Sequence, residues 1–339
     1  MTTTAHRPAA PEPTTRRPRL AVTIGDPSGI GPELVAKLLA DENNRAAADL
    51  VVLATEQEIR DAAALSGVHV PVGSGAGPDA VRVVGSEHSG STVEPGVVSV
   101  AGGRRALADL GAALRLHQDG EVDAILFAPL NKAALGQAGM DAHDELRWFA
   151  DQLGYTGTTS ELNLVPGLTT SRVTSHIPVS EVAQHISAGS VAEATRLLHG
   201  VLLAQGLPAP RIAVCALNPH AGEGGKFGRE EIDHIRPGVE LLRSEGIDAN
   251  GPFPCDTLFI KARRGEYDGV VTMYHDQGQI AMKLMGFEEG VTVQGGLPVP
   301  IATPAHGTAY EIVGKGIANT GPMQRAFDVA VSLATDAVH

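Results

Sequence analysis

Three histidines close three apolar runs: "VTSH" ends at His176, "ALNPH" at His220 and "VTMYH" at His275. A neutral imidazole is the commonest protein metal ligand. The carboxyl edge of a parallel sheet is where α/β proteins gather their ligands. Three imidazoles on one such edge could hold a divalent ion and leave positions open for a substrate. The alternative is three half-buried histidines, each satisfied by its own partner, and with 13 histidines in the chain some coincidence is expected. No HExxH or CxxC accompanies them, so spacing leaves both readings open. Other polar residues fall on the same edge. Asn131 and Lys132 follow "FAPL", Asp256 follows "GPFPC", and Asp276 follows His275. Lys132 and Asp256 are candidates for a catalytic base, alongside a metal-bound water. A surface lysine at a helix start is the bland reading of Lys132.

Two glycine-rich stretches could instead bind phosphate. "NPHAGEGGKFG" (218–228) lacks the Ser or Thr that a P-loop needs after Lys226, and no GxGxxG occurs anywhere in the chain. "GDPSGIGPE" (25–33) could aim backbone N–H groups at an anion from a helix N-terminus, or could be a tight turn.

The elements that must position these residues alternate. "LAVTI", "DLVVLA", "VDAILFAP", "SRVTSH", "RIAVCALNPH", "YDGVVTMYH" and "GVTVQG" read as strands. "PELVAKLLA", "EQEIRDAAAL", "RRALADLGAALRLHQ", "SVAEATRLLHGVLLAQG", "EEIDHIRPGVELLRSEG", "DQGQIAMKLMG" and "PMQRAFDVAVSLATDA" read as helices. Strands separated by helices imply an α/β protein with a largely parallel sheet covered on both faces. "VPVGSGAGPD" near Val70 reads as a surface loop.

The chain has 339 residues, enough for about two domains. Its net charge of -13 argues against a nucleic-acid partner. Cys215 and Cys255 have no metal-type spacing and no disulfide framework is indicated, so a reducing cytoplasm is the default. No apolar run reaches the ~18 residues of a membrane span. Residues 1–18, rich in Pro, Thr and Arg and without a signal-type apolar core, read as a disordered tail.

The blocks "GDPSGIGPE", "APLNK", "SHIP", "NPHAGEGGKFGREE", "GPFPCDTLF", "MYHDQGQIAMKLMGF" and "HGTAYEIVGKGIA" together resemble the 4-hydroxythreonine-4-phosphate dehydrogenase family, in order, from about Leu20 to the C-terminus. The resemblance implies two α/β/α domains with a central cleft, similar to isocitrate and isopropylmalate dehydrogenases. They would span roughly residues 19–140 plus 290–339, and 141–289. It implies a homodimer with the site near the subunit interface. It also implies oxidation of a β-hydroxy acid by NAD or NADP, with decarboxylation of the keto acid. His176, His220 and His275 match the family's ligands for a divalent metal, and a dimer partner could supply some of them. Zinc, magnesium, manganese and cobalt all fit, with imidazoles favouring the transition metals. "HGTAYEIVGKGIAN" resembles an adenosine-binding loop, which makes His306, Gly307, Thr308, Ala309, Glu311 and Asn319 the cofactor residues.

His143 and Lys283 match family substrate contacts. Three positions depart: Asp144 stands for a Thr, Thr292 for an Asn, and Ile301 for an Arg. Isoleucine cannot grip a phosphate bidentately, and Asp144 would repel one if it faced the same pocket, with Arg147 as a compensating cation. The expected substrate is therefore a hydroxy acid other than 4-hydroxythreonine 4-phosphate. The rival readings are a metal-dependent lyase or isomerase without net hydride transfer, a dihydrodiol dehydrogenase, and a non-catalytic small-molecule binder.

Overall fold

A computed structural model describes residues 16–73, 80–286 and 289–337. The expected tail falls largely outside these. Arg16 to Pro18, which that expectation included, are tied down: Arg16 pairs with Asp123, Arg17 with Asp49, and Pro18 O accepts from Asp49 N. Of the expected loop near Val70, residues 74–79 lie outside the described residues, and its flanks Val72 and Val81 form an isolated parallel bridge.

The strands are β1 (Arg19–Thr23), β2 (Asp49–Leu53), β3 (Arg82–Val84), β4 (Ala124–Phe127), β5 (Ser160–Val165), β6 (Leu168–Arg172), β7 (Ile212–Cys215), β8 (Ala249–Phe253), β9 (Gly269–Thr272), β10 (Val291–Gly295) and β11 (Ile301–Pro304). They form one sheet in the order β3-β2-β1-β4-β11-β10-β5-β6-β9-β7-β8. The outer strands run parallel, as the alternating pattern demands. The middle does not: β10 is antiparallel to both β11 and β5, and β5 to β6. Of the hairpin β5–β6, β6 ends at Arg172, early in the expected strand Ser171–His176, and the pattern of β5 is masked by its Ser, Glu and Asn.

The helices are α1 (Gly31–Ala40), α2 (Glu42–Ala47), α3 (Glu56–Ser66), α4 (Val100–Gln118), α5 (Lys132–Gln137), α6 (Glu145–Gln152), α7 (Ala188–Ala204), α8 (Arg236–Ser244), α9 (Cys255–Arg263), α10 (His275–Gly286) and α11 (Gly321–Ala337). Period-two alternation sends Leu20 and Val22 to one face of the sheet and Ala21 to the other. On the first face a single apolar cluster runs under α1, α3, α11, α7 and α8. The second face carries two separate clusters. One joins α4 and Phe149 of α6 to β1, β2 and β4, and the other joins α9 and Met282 of α10 to β7 and β9. The helices are thus fused on one face and divided on the other.

No helix among the described residues is long and apolar enough to cross a membrane.

Candidate functional site

β6, β9 and β7 are adjacent and parallel, so their carboxyl ends share one edge. His176, His220 and His275 all leave from that edge, and the chain then sends them different ways. His176 lies in an exposed turn after β6, where its Nδ1 is 2.8 Å from Asp144 Oδ2. His275 begins α10, with Nδ1 2.7 Å from Asp276 Oδ1. A carboxylate only accepts, so each Nδ1 is the donor in its contact, and in the neutral ring Nε2 is then the acceptor nitrogen. The two rings are tilted by 44° to each other, with centroids 5.6 Å apart.

His220 is held by a different device. Five consecutive residues, His220 to Gly224, have positive φ between 44° and 75°. For His220, Ala221 and Glu223 that conformation costs about 1–2 kcal/mol each. Buried Glu231 holds the turn by accepting from Leu217 N at 2.9 Å, Asn218 N at 2.7 Å and Asn218 Nδ2 at 3.0 Å. Gly222 must lack a side chain, since a Cβ there would lie 2.6 Å from Glu231 Oε2. The glycines of this stretch therefore serve a left-handed turn over a carboxylate.

Helix α10 separates two cavities. One, of about 180 Å³, is lined by His275, Gln279, Lys283, Thr292 and Asn163. The other, of about 660 Å³, is lined by His220, Cys255, Asp256, Tyr274 and Asp276. Among the described residues of one chain, no group of three or more His, Cys, Asp or Glu is placed to hold a metal. The expected trio is thus not assembled within a single chain: His176 and His275 approach each other, while His220 opens onto the other cavity.

Asp144 is buried and also caps α6, its Oδ1 accepting from Arg147 N at 2.8 Å. Its Oδ2 is engaged by His176, and Asp144 lines neither cavity. Nearby Arg172, buried, pairs with Glu161 and donates from Nε to Ser175 Oγ at 2.8 Å. Burial pushes its pKa down, against the opposing pull of Glu161 and Asp144. Ile301 is fully buried beside Ile125 in the core and reaches neither cavity. Thr292 lines the smaller cavity, its hydroxyl 3.4 Å from Asn163 Oδ1. His143 is exposed. Lys132 is 70% exposed, 3.9 Å from Glu145. Asp256 is exposed on the wall of the larger cavity.

The "GDPSGIGPE" loop meets the "HGTAYEI" loop directly. Ile30 N donates to Thr308 O at 3.0 Å, and the Tyr310 hydroxyl donates to buried Asp26. Burial and that acceptor raise the Tyr310 pKa. A Cβ on Gly29 would sit 2.8 Å from Thr308 Cβ, so glycine permits this approach. Glu33 Oε1 accepts from Ala318 N and from Lys37 Nζ, both at 2.7 Å, which ties the following loop to α1. Ser28 Oγ, Glu33 Oε2 and His306 Nε2 are buried without a hydrogen-bond partner. A cavity of about 410 Å³ opens here, lined by Gly29, Glu33, Asp61, Val313 and Gly314. Of the expected cofactor residues, Thr308 is buried, Ala309 has φ 43°, His306 Nδ1 lies 3.0 Å from Gly307 O, Glu311 is exposed, and Asn319 accepts from Gly321 N at 3.0 Å. None of these lines that cavity, which the same loop reaches through Val313 and Gly314.

Sequence reasoning missed Glu231, Asn163 and Gln279. The acidic pair after "GGKFGR" was the available signal for Glu231. Asn163 lay in a strand that was not recognised.

The family described as "Pyridoxal phosphate biosynthetic protein PdxA" matches residues 36–330. A relative from Pseudomonas aeruginosa, provisionally named 4-hydroxythreonine-4-phosphate dehydrogenase 2, is 49% identical over 326 residues, 92% of this chain and 96% of its own. D-threonate 4-phosphate dehydrogenase from Cupriavidus necator is 38% identical, with 94% and 98% covered. The crystal structure of 4-hydroxythreonine-4-phosphate dehydrogenase from Klebsiella pneumoniae superposes with a TM-score of 0.78 at 34% identity, covering 95% of this chain and 99% of that one. With its α/β fold, its loop pairing and these matches along almost its whole length, the chain belongs to the PdxA family, whose named relatives are dehydrogenases.

Proposed function

We propose that this chain is a nicotinamide-linked dehydrogenase of a β-hydroxy acid other than 4-hydroxythreonine 4-phosphate, with decarboxylation of the keto acid. One observation carries the reading: the small cavity that brings Lys283 and Thr292 beside His275, with the His176 ring 5.6 Å from that of His275. An ammonium group suits the anionic end of a hydroxy acid. The Nε2 of His275, its Nδ1 proton held by Asp276, is oriented to take the hydroxyl proton as hydride leaves. Bound nicotinamide supplies the hydride acceptor. The imidazolium so formed stands beside the new carbonyl oxygen, where a donor favours loss of carbon dioxide from a β-keto acid.

On this reading the dinucleotide lies at the meeting point of the two loops. The unpartnered Ser28 and Glu33 oxygens lie there, and the 410 Å³ cavity is of a size that seats a small ligand. A divalent metal fits less well. One chain offers no three-ligand group among its described residues, so no step above runs through a metal. A second copy of the chain is the natural source of further ligands. Ile280 and Leu284, 62% and 83% exposed on the α10 face toward the larger cavity, give such a homodimer an apolar contact. The two thiols, which are free, accord with a reducing cytoplasmic setting.

The substrate reading rests on the lining of the small cavity, where Lys283 is the one Lys or Arg among the described residues and Ile301, sealed in the core, adds no contact. Losing a charged contact of about 1.5–3 kcal/mol lowers kcat/KM by about tenfold to a hundredfold. The test follows nicotinamide reduction by absorbance with NAD and NADP against 4-hydroxythreonine 4-phosphate, D-threonate 4-phosphate and their unphosphorylated counterparts. Preferred turnover of another hydroxy acid supports the proposal. Efficient turnover of 4-hydroxythreonine 4-phosphate ends its substrate part, and reduction with none of the panel ends the dehydrogenase part for these acids.

A further inference from the structure

Cys215 and Cys255 lie 40 residues apart in sequence with Sγ atoms 3.6 Å from each other. Cys215 is the last residue of β7 and is fully buried. Cys255 is the first residue of α9 and lies partly exposed on the wall of the cavity that holds His220 and Asp256. The β7–β8 pairing shifts register between Ala213 and Cys215. β7 pairs with β8 in parallel, Cys215 opposite Phe253, and α9 starts two residues later. Below the pair, Gln277 braces the junction. Its Oε1 accepts from Met273 N at 2.6 Å, its Nε2 donates to Ala216 O at 2.7 Å, and its carbonyl contacts Cys255 Sγ at 3.7 Å. A disulfide needs its sulfurs about 2.05 Å apart, so side-chain rotation of about 1.5 Å shared between the two residues closes the gap.

We propose that Cys215 and Cys255 are a peroxide-reactive dithiol, in which Cys255 is oxidised from the cavity and Cys215 resolves it to a reversible disulfide. The two thiols are unequal. The hydrogen bond from Cys215 holds the Cys255 pKa down, while burial pushes that of Cys215 well up. The Cys255 thiolate attacks hydrogen peroxide. An S–O bond forms, the O–O bond breaks, and the departing hydroxide takes a proton to become water. The sulfur of Cys255 is oxidised by two electrons to the sulfenic acid. The Cys215 sulfur then attacks that of Cys255. The S–S bond forms as the S–O bond breaks, and the second hydroxide leaves as water with the Cys215 proton. Two thiols and one peroxide give one disulfide and two waters. A dithiol reductant reverses the step by thiol–disulfide exchange. The modification removes the thiol from the cavity wall and links the end of β7, which leads into the His220 turn, to α9.

The test treats the full chain with hydrogen peroxide, then denatures it and alkylates it with N-ethylmaleimide. The expected product has lost two hydrogens, takes up no maleimide, gives a Cys215–Cys255 linked peptide by mass spectrometry, and regains both thiols with dithiothreitol. Cys255→Ser leaves the Cys215 thiol alkylatable after peroxide. Cys215→Ala leaves a Cys255 sulfenic acid that dimedone labels. Two free thiols in the treated wild-type chain, a disulfide between two chains, or direct over-oxidation of Cys255 to the sulfinic acid overturns the proposal. These readouts do not involve turnover, so they stand or fall separately from the dehydrogenase reading.

Discussion

The Asp144 carboxylate joins two elements at once: Oδ2 lies 2.8 Å from His176 Nδ1, and Oδ1 accepts from Arg147 N at 2.8 Å. The same carboxylate thus caps α6 and offers His176 Nδ1 an acceptor. Carboxylates that orient a metal-ligating imidazole in this way are worth about 10–100-fold in metal affinity or activity.

Asp144→Asn should therefore keep the helix cap and lose the imidazole's acceptor. We expect a fall in kcat/KM of about 10–100-fold with little change in melting temperature. Asp144→Ala should add a stability loss of about 1 kcal/mol from the missing cap. Nitrogen NMR of His176 distinguishes positioning from a structural role: Asp144→Asn should shift the ring away from the Nδ1-protonated tautomer. An unchanged tautomer with lowered activity sinks this assignment.

Lys283, on the wall of the small cavity, is expected to bind the anionic end of the substrate. Lys283→Met should raise KM by about thirtyfold or more, the consequence of about 2 kcal/mol or more for truncating one member of a charged contact, with kcat changed far less. Steady-state kinetics on the substrate identified by the panel checks this split. A loss confined to kcat would place Lys283 in the chemistry instead.

The apolar α10 face gives a prediction about assembly. Ile280→Asp with Leu284→Asp puts two charges on a surface expected to be covered by a second copy. Light scattering after size exclusion should find a dimer for the parent chain and a monomer for the variant. Activity should fall with the dimer. A monomeric parent chain removes the need for a shared site.

Acid stability should carry an opposing contribution from Asp109. Burial raises its pKa to about 6 from the usual 3.8, against the opposing pull of Arg105. The folded chain then binds more protons at this site than the unfolded chain between those values. By linkage, this group makes stability fall as pH rises from about 4 to 6. Glu58, Asp123 and Asp268 act the other way. Burial alone would raise each of Glu58 and Asp123, but Arg105 and Arg19 respectively hold them low, and Arg211 holds Asp268 low. Their stabilisation is lost as pH falls through their folded values. Urea unfolding of the parent chain and Asp109→Asn at several pH values should show the parent gaining on the variant as pH drops from 6 to 4. A constant difference between the two across that window would count against the raised pKa.

The alternation of β-branched runs with amphipathic helices determined the α/β class, because hydrophobic periodicity is local. It also determined that His176, His220 and His275 leave strand ends. Whether those three meet depended on loops. The left-handed turn at His220 is set by Glu231, and the division of cavities is set by α10, which no local pattern encodes. The antiparallel centre was illegible for the same reason: "GVTVQG" reads as a strand without showing in which direction it pairs, and pairings such as Leu162 with Val293 link residues far apart in the chain. Asp144 and Ile301 stood out in sequence as departures, but their meaning was tertiary. One carboxylate found an imidazole 32 residues away, and one isoleucine found the core. The thiol pair shows the same separation: residue identity makes each cysteine reactive, and only the β7–β8 register and the start of α9 place the two within 3.6 Å.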